Sequence, residues 1–216
     1  MTPELVVKKT VVIGVVGGIA SGKSEVTRLL GEMNAVIISA DEIAHRVLLL
    51  PEVVASLVSI FGKGILQEPG SDLVKTRQID RKKLGAMVFG DALDKQVMRK
   101  KLESIVHPRI RELGRSELAK LVQEATHSMI ILDAPLLIEG GWLPYCDRVL
   151  FVESSDTLRK GRAMERGWTE EQWRDREASQ LSLAEKRKSA SDVLVNDGTV
   201  EQLKQRVANF VASLSP

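Results

Sequence analysis

The sequence predicts an α/β fold, a phosphate-loop core with a five-stranded parallel sheet, carrying an inserted helical region and a helical lid. Three observations predict it. Five short apolar segments alternate with long helical patterns. Most of these segments are rich in Val and Ile without alternating, as strands buried on both faces are. The first of them runs into Gly17-Gly18-Ile19-Ala20-Ser21-Gly22-Lys23-Ser24, a complete phosphate-loop pattern between a strand and a helix.

The expected strands are residues 11–16, 35–38, 129–132, 148–152 and 192–195, joined by right-handed crossovers. After the loop, Val26, Leu29, Leu30 and Met33 mark one face of an amphipathic helix. Two connections are too long for single crossover helices. Between residues 44 and 126, Pro51 opens a helix that stops before Gly62, and Pro69-Gly70-Ser71 marks a turn. Asp80 caps a helix reaching about Phe89, Asp91 starts another, and Pro108 begins the next. Between residues 154 and 191, Thr169-Glu170-Glu171-Gln172 and Ser182-Leu183-Ala184-Glu185 match capping boxes, and Gly167 ends the helix before them. This second connection reads as a helical hairpin rich in Arg and Lys.

Composition narrows the setting. The chain has 216 residues, 44% hydrophobic and 28% charged, which suits one globular core with embellishments. A net charge of +2 supplies no global field for nucleic acid, so an anion site must be built locally. Cys146 has no cysteine partner, which rules out an internal disulfide and fits a reducing compartment. It reads as a small packing residue. Lys8-Lys9 ahead of an apolar run copies the start of a signal peptide, but the run is short and leads straight into the loop. No stretch is long enough to span a membrane, and a cytoplasmic location is expected.

The chemistry begins at the loop. Gly17 and Gly22 let backbone amides turn toward an anion, and the helix opening near Lys23 adds its positive dipole end. Lys23 is expected to reach the β- and γ-phosphates, and the Ser24 hydroxyl to ligate Mg²⁺. Asp133, closing the third apolar segment, stands where a Walker-B carboxylate faces the metal, with Glu139 a weaker candidate nearby. Asp41 lies just past the second strand, at the carboxyl end of the sheet where ligands bind. It either orients an attacking hydroxyl or caps the following helix, and spacing alone leaves both open. Arg159, Arg162 and Arg166 share one helical face. Such faces are ordinarily solvated, but beside a phosphate loop they read as a lid that neutralises transition-state charge, with Arg162 and Arg166 preferred. Arg77, Arg81, Lys82 and Lys83 form a basic cluster suited to an anionic acceptor. Trp142, Trp168 and Trp173 read as packing or pocket-covering residues, and His107-Pro108 as a helix entry.

Together these segments resemble the dephospho-coenzyme A kinase family. The resemblance runs from Ile13 to about Val207. It rests on the loop, on Ala40-Asp41-Glu42-Ile43-Ala44-His45, on Ile79-Asp80-Arg81-Lys82-Lys83-Leu84 and on Val88-Phe89. Leu102-Glu103 with His107-Pro108, Leu132-Asp133-Ala134-Pro135-Leu136-Leu137-Ile138-Glu139 and Asp147-Arg148-Val149 continue it, and Arg162, Arg166 and Asn196-Asp197-Gly198 complete it. It implies ATP- and Mg²⁺-dependent phosphorylation of the ribose 3′-hydroxyl of dephospho-coenzyme A, the last step in making coenzyme A. It further implies a core of residues 1–45, 127–153 and 190–216, an acceptor-binding region of residues 46–126 and a lid of residues 154–189. Asp41, Lys23 and Arg162 take the catalytic positions. Gly18, Ile19, Ala20, Ser21, Gly22, Lys23, Ser24 and Glu25 line ATP, with Arg166 on the lid and Asn196 near the adenine. Asp41, Arg81 and His107 face the acceptor, and Ser24 and Asp133 the metal. ATP and dephospho-coenzyme A are the expected partners, with no nucleic acid and no membrane, for a monomer or weak homo-oligomer.

The chain departs from the family pattern at four places. Ala20 replaces a glycine, Glu25 stands where threonine is common, Ser39 replaces an aspartate, and Val195 replaces an acidic residue. The Glu25 charge is expected to point away from the triphosphate. Two rival functions share the loop. Another small-molecule kinase differs only in its acceptor. A switch-type NTPase would lack an acceptor region, and no guanine-reading Asn-Lys-x-Asp segment is present.

Overall fold

In the computed structural model, which describes residues 10–67, 78–90 and 92–214, all five apolar segments are strands: β1 Val11–Gly17, β2 Ala35–Ser39, β3 Met129–Asp133, β4 Arg148–Glu153 and β5 Asp192–Val195. They form one parallel sheet in the order β2-β3-β1-β4-β5. The central strand β1 therefore pairs with two segments that lie far along the chain. Lys8-Lys9, Pro69-Gly70-Ser71, Arg77 and Asp91 lie outside the described residues.

The chain divides into two compact units, one made of the residues up to Ser39 and from Glu117 onward, the other of Ala40–Ser116. In the first unit, α1 (Lys23–Glu32) and α9 (Val200–Ala212) cover one face of the sheet. Val26, Leu29 and Leu30 of α1 meet Leu203, Val207 and Phe210 of α9 over Ile13, Val15, Ile131, Leu150 and Val152. Val12, Val16, Ile130, Val149 and Phe151, which alternate with these, are also buried. Burial on both faces is why the strands read as continuous apolar runs rather than alternating ones. At Gly14 a side chain has no room, since a β-carbon there would lie 2.7 Å from the Cys146 sulfur.

The connection after β4 contains three short helices, α6 (Asp156–Glu165), α7 (Glu170–Ala178) and α8 (Leu183–Lys188), where the sequence suggested a hairpin. Both expected capping boxes form, at Thr169 with Gln172 and at Ser182 with Glu185. Gly167 adopts φ 80 just after α6, as a helix-ending glycine does.

The second unit holds α2 (Ala40–Val47), α3 (Pro51–Phe61), a short 3₁₀ turn Lys63–Ile65, α4 (Arg81–Val88) and the start of α5 (Leu93–Glu124). Both α3 and α4 pack on the 3₁₀ turn, burying Val53, Leu57, Phe61, Ile65, Leu84 and Val88. Pro51 sits in the first turn of α3, and the Asp80 carboxylate caps α4 by accepting from the Lys82 and Lys83 amides. Pro108 does not begin a helix. It lies inside α5, which runs unbroken for 32 residues. A proline removes one intrahelical hydrogen bond at a cost of about 3 kcal/mol. The long flanks, rich in Leu, Glu, Lys and Arg and anchored by buried Val106 and Leu118, outweigh that.

Candidate active site

The loop between β1 and α1 is shaped by its glycines. A β-carbon on Gly17 would lie 2.6 Å from the Val152 carbonyl oxygen, so the chain can leave the sheet there only as glycine. Gly22 adopts φ 94, and a β-carbon on it would lie 2.1 Å from Nδ2 of Asn196. These two positions fold the loop over the start of α1, whose first amides have no intrahelical acceptor. The Ser21 hydroxyl is buried and has no hydrogen-bond partner among the described residues.

Lys23 turns back across the loop, its ammonium donating to the carbonyls of Gly17 at 3.1 Å and Gly18 at 3.0 Å. Burial, with the Lys186 ammonium beside it, pushes the Lys23 pKa down to about 8. Asp133, the last residue of β3, pairs in register with Val15 and Ser39, and its negative charge acts on Lys23 in the opposite sense. Two lysines and an aspartate therefore converge on one loop.

Arg162 of α6 reaches the same loop. Its guanidinium donates to the carbonyls of Ser21 at 3.3 Å and Asn196 at 3.0 Å and to the Ser154 hydroxyl at 3.1 Å, with Ala20 farther at 3.5 Å. Asn196, expected near an adenine, is buried, and its side-chain amide donates to the Ser21 carbonyl at 2.8 Å. That hydrogen bond braces the loop. Arg159, on the same helical face, is buried. It donates to Glu177 at 2.6 Å, to Asp156 at 2.7 Å and to the Ile19 carbonyl at 3.3 Å, over the Trp173 ring. The Glu177 carboxylate also accepts from the Ile19 amide at 3.1 Å. Both backbone groups of Ile19 are thus held by one ion pair.

Other expected residues stand apart from this cluster. Arg166 is exposed at the end of α6. The Glu25 carboxylate pairs with Arg28 at 2.6 Å along α1, so its side chain is committed to the helix surface rather than to the loop. Ser24 is exposed in the first turn of α1. Glu139 accepts from the Leu181 amide at 2.9 Å. Trp142 and Trp173 are buried packing residues, and Arg176 lies 4.3 Å from the Trp168 ring centre.

In the second unit Asp41 is exposed and is the second residue of α2. It does not cap that helix from outside. His45 lies one turn further along the same face, and its Nε2 hydrogen-bonds the Arg81 guanidinium. Arg81 is thereby held one helical turn from Asp41, while His107 is exposed on α5. The sequence carried no sign of Lys186 or Glu177; for the His45–Arg81 contact it offered both ends, in Ala40-to-His45 and Ile79-to-Leu84, but not their pairing.

A phosphate loop leaving the central strand of a parallel sheet, with basic side chains drawn to it from distant segments, defines the chain as a P-loop kinase. A sequence model of the dephospho-CoA kinase family matches residues 11–202. The dephospho-CoA kinase of Geobacillus kaustophilus is 42% identical over 200 residues, 92% of this chain and 94% of that one. Among solved structures, TT1252 from Thermus thermophilus aligns with a TM-score of 0.72 and 31% identity, covering 96% of this chain and 99% of that one. The dephospho-CoA kinase from Campylobacter jejuni aligns at 0.69 and 28%, covering 94% and 96%. The chain belongs to the dephospho-CoA kinase family. Its reaction is ATP-dependent phosphorylation of the ribose 3′-hydroxyl of dephospho-coenzyme A, giving coenzyme A and ADP in the final step of coenzyme A biosynthesis.

Proposed function

We propose that the loop from Gly17 to Ser24 holds the triphosphate of ATP and that Asp41 activates the acceptor hydroxyl. The observation that carries this reading is the Lys23 ammonium spanning the Gly17 and Gly18 carbonyls beside the buried, unpartnered Ser21 hydroxyl. In this reading Arg162 adds positive charge to the transferring phosphoryl group, and the loop amides of Gly18, Ile19, Ala20, Ser21 and Gly22 shape the cradle. Arg166, Asn196 and the backbone of Glu25 complete the ATP side, while Arg81 and His107 belong to the acceptor side. Residues 46–126 then serve the acceptor and residues 154–189 act as a lid. In-line transfer asks for positioning and electrostatics rather than covalent help.

Mg²⁺ fits the donor set. Ser24 offers a hydroxyl and Asp133 a carboxylate, both hard oxygen donors. In this reading phosphates and water supply the remaining ligands. When bound, Mg²⁺ would neutralise charge on the β- and γ-phosphoryl oxygens. Among the described residues no single helix is long and apolar enough to cross a membrane. A cytoplasmic monomer or weak homo-oligomer, binding neither nucleic acid nor membrane, completes the reading, supported by the near-neutral net charge and the lone cysteine.

Steady-state kinetics with ATP, Mg²⁺ and dephospho-coenzyme A test it. Lys23→Ala is expected to weaken ATP binding and slow turnover together, and Asp41→Asn to lower kcat at least about tenfold while ATP still binds. Unchanged turnover in Asp41→Asn would remove Asp41 from the mechanism, and normal kinetics in Lys23→Ala would remove the loop.

A further inference from the structure

Lys186 is one of the few charged side chains buried in the described residues, only 3% exposed. It lies on α8, which packs directly on the loop, with Leu183 a close neighbour of Gly18. Its ammonium donates to Gln180 Oε1 at 2.6 Å and to the Gly17 carbonyl at 3.5 Å. Both acceptors are neutral, and an ammonium carries three donors. Among the described residues no carboxylate forms an ion pair with it. Glu177 is engaged by Arg159 and Ile19, and Glu139 by the Leu181 amide. A buried charge whose only direct partners are neutral is costly, and an anion brought to the loop would offset that cost. Lys23 reaches the same Gly17 carbonyl. Two ammonium groups thus meet at a single oxygen, close to the buried Ser21 hydroxyl.

We propose that Lys186 is a second phosphate-binding lysine of the loop, sharing with Lys23 the negative charge of the β- and γ-phosphoryl groups of ATP and of the transferring phosphoryl group. The proposal rests on the reading of the loop as the triphosphate site. Lys186 keeps its proton throughout. The bond from γ-phosphorus to the bridging oxygen breaks, the bond to the acceptor oxygen forms, and the hydroxyl proton leaves by way of Asp41. The cationic form is opposed by burial and by Arg159, and favoured by Glu139 and Glu177. Bound phosphate oxygens would add to the favourable side.

Calorimetric titration of ATP, ADP and adenosine, together with steady-state kinetics, tests the proposal in Lys186→Met, Lys186→Gln and Lys186→Arg. The two neutral variants are expected to lose at least about tenfold in kcat and in affinity for ATP and ADP, with adenosine binding within about twofold of the parent. Lys186→Arg is expected to recover most of the loss. Neutral variants with unchanged kinetics and ATP affinity would overturn the proposal, as would equal weakening for adenosine and ATP, which marks a merely structural lysine. The unsubstituted enzyme supplies an independent measurement that does not depend on a variant folding. The Lys186 ammonium resonance is expected to shift with ADP or ATP and not with adenosine, and a resonance that ignores all three overturns the proposal. Lys23→Ala, run alongside, separates the two readings. If it is impaired while the Lys186 variants are not, the loop assignment stands and Lys186 has no part in it; if it is unimpaired, the loop assignment itself falls.

Discussion

Ala20 stands in the loop at φ 60, in the left-handed region that favours glycine. An alanine there costs about 1 kcal/mol relative to glycine. Its methyl group, however, is buried against Ala163 and Trp173, a contact worth about 0.8 kcal/mol. The two terms nearly cancel, which explains how the loop accepts an alanine at this φ. Ala20→Gly is accordingly expected to shift unfolding free energy by less than about 1 kcal/mol, and Ala20→Val to lose several times that, because a β-branched residue fits neither the φ nor the space. Urea unfolding of both variants checks this, and a large loss in Ala20→Gly would contradict it. Cys146 is the second residue whose surroundings set its chemistry. Burial, aided by Asp147, pushes its thiol up to about 11. At pH 8 its thiolate fraction is then about a hundredfold below that of an ordinary cysteine. Alkylation by iodoacetamide is expected to be slower by at least that factor in the folded protein and to become ordinary in denaturant. Rapid alkylation of the folded chain at pH 8 would show that the packing against Gly14 is not maintained in solution.

At the scale of elements, the loop is held by segments that follow β4, the helices α6 and α7 and the turn after β5. Arg162 and Asn196 tie Ser21, while the Arg159–Glu177 pair ties Ile19. Arg159 is buried and Glu177 half-buried, so removing Arg159 leaves a poorly solvated carboxylate beside the loop, and removing Glu177 leaves Arg159 with only the exposed Asp156 as a counter-charge. Arg159→Met or Glu177→Met alone is expected to cost about 2 kcal/mol and to raise the KM for ATP, since the loop loses a brace. The paired substitution is expected to recover at least half of the stability, because no orphan charge remains. Thermal or urea unfolding of the four proteins measures the coupling, and simple additivity would count against it. Little of this was legible in the sequence. Capping boxes at Thr169 and Ser182 mark helix starts because their chemistry is local and nearly position-independent. The loop groups that Glu177 and Lys186 reach, Ile19 and Gly17, lie more than 150 residues away along the chain, and no local pattern separates these two side chains from solvated charges. Pro108 misled for the opposite reason. Its local preference for a helix start is real, but α5 is long enough for its flanks to override it.

On the scale of the whole molecule, the five strands and the loop were readable in advance because continuous Val and Ile runs and a glycine-lysine-serine loop each have one economical structural meaning. The assignment of an acceptor to residues 46–126 came instead from family resemblance. It makes a spatial prediction that hydrogen exchange can read. ATP alone is expected to slow exchange in β1, α1, α6 and α8, whereas dephospho-coenzyme A alone is expected to slow it in α2 and α4. ATP at a hundred times its dissociation constant should stabilise the elements that hold it by about 2.7 kcal/mol, and Lys23→Ala should abolish the effect. Protection by ATP confined to α2 and α4 would reverse the assignment of the two substrates.

The strand order has a further consequence for how the chain is made. Neither β1 nor β2 pairs with the other; both wait for β3, which begins at Met129. On a ribosome adding roughly 5–20 residues per second, the first strand emerges some 5 to 20 s before any partner for it exists. During that interval its row of valines and isoleucines is an unpaired, aggregation-prone edge. A nascent chain stalled before Met129 should therefore bind a chaperone through this strand and release it once Glu153 has cleared the exit tunnel, when both neighbours of β1 are at last available.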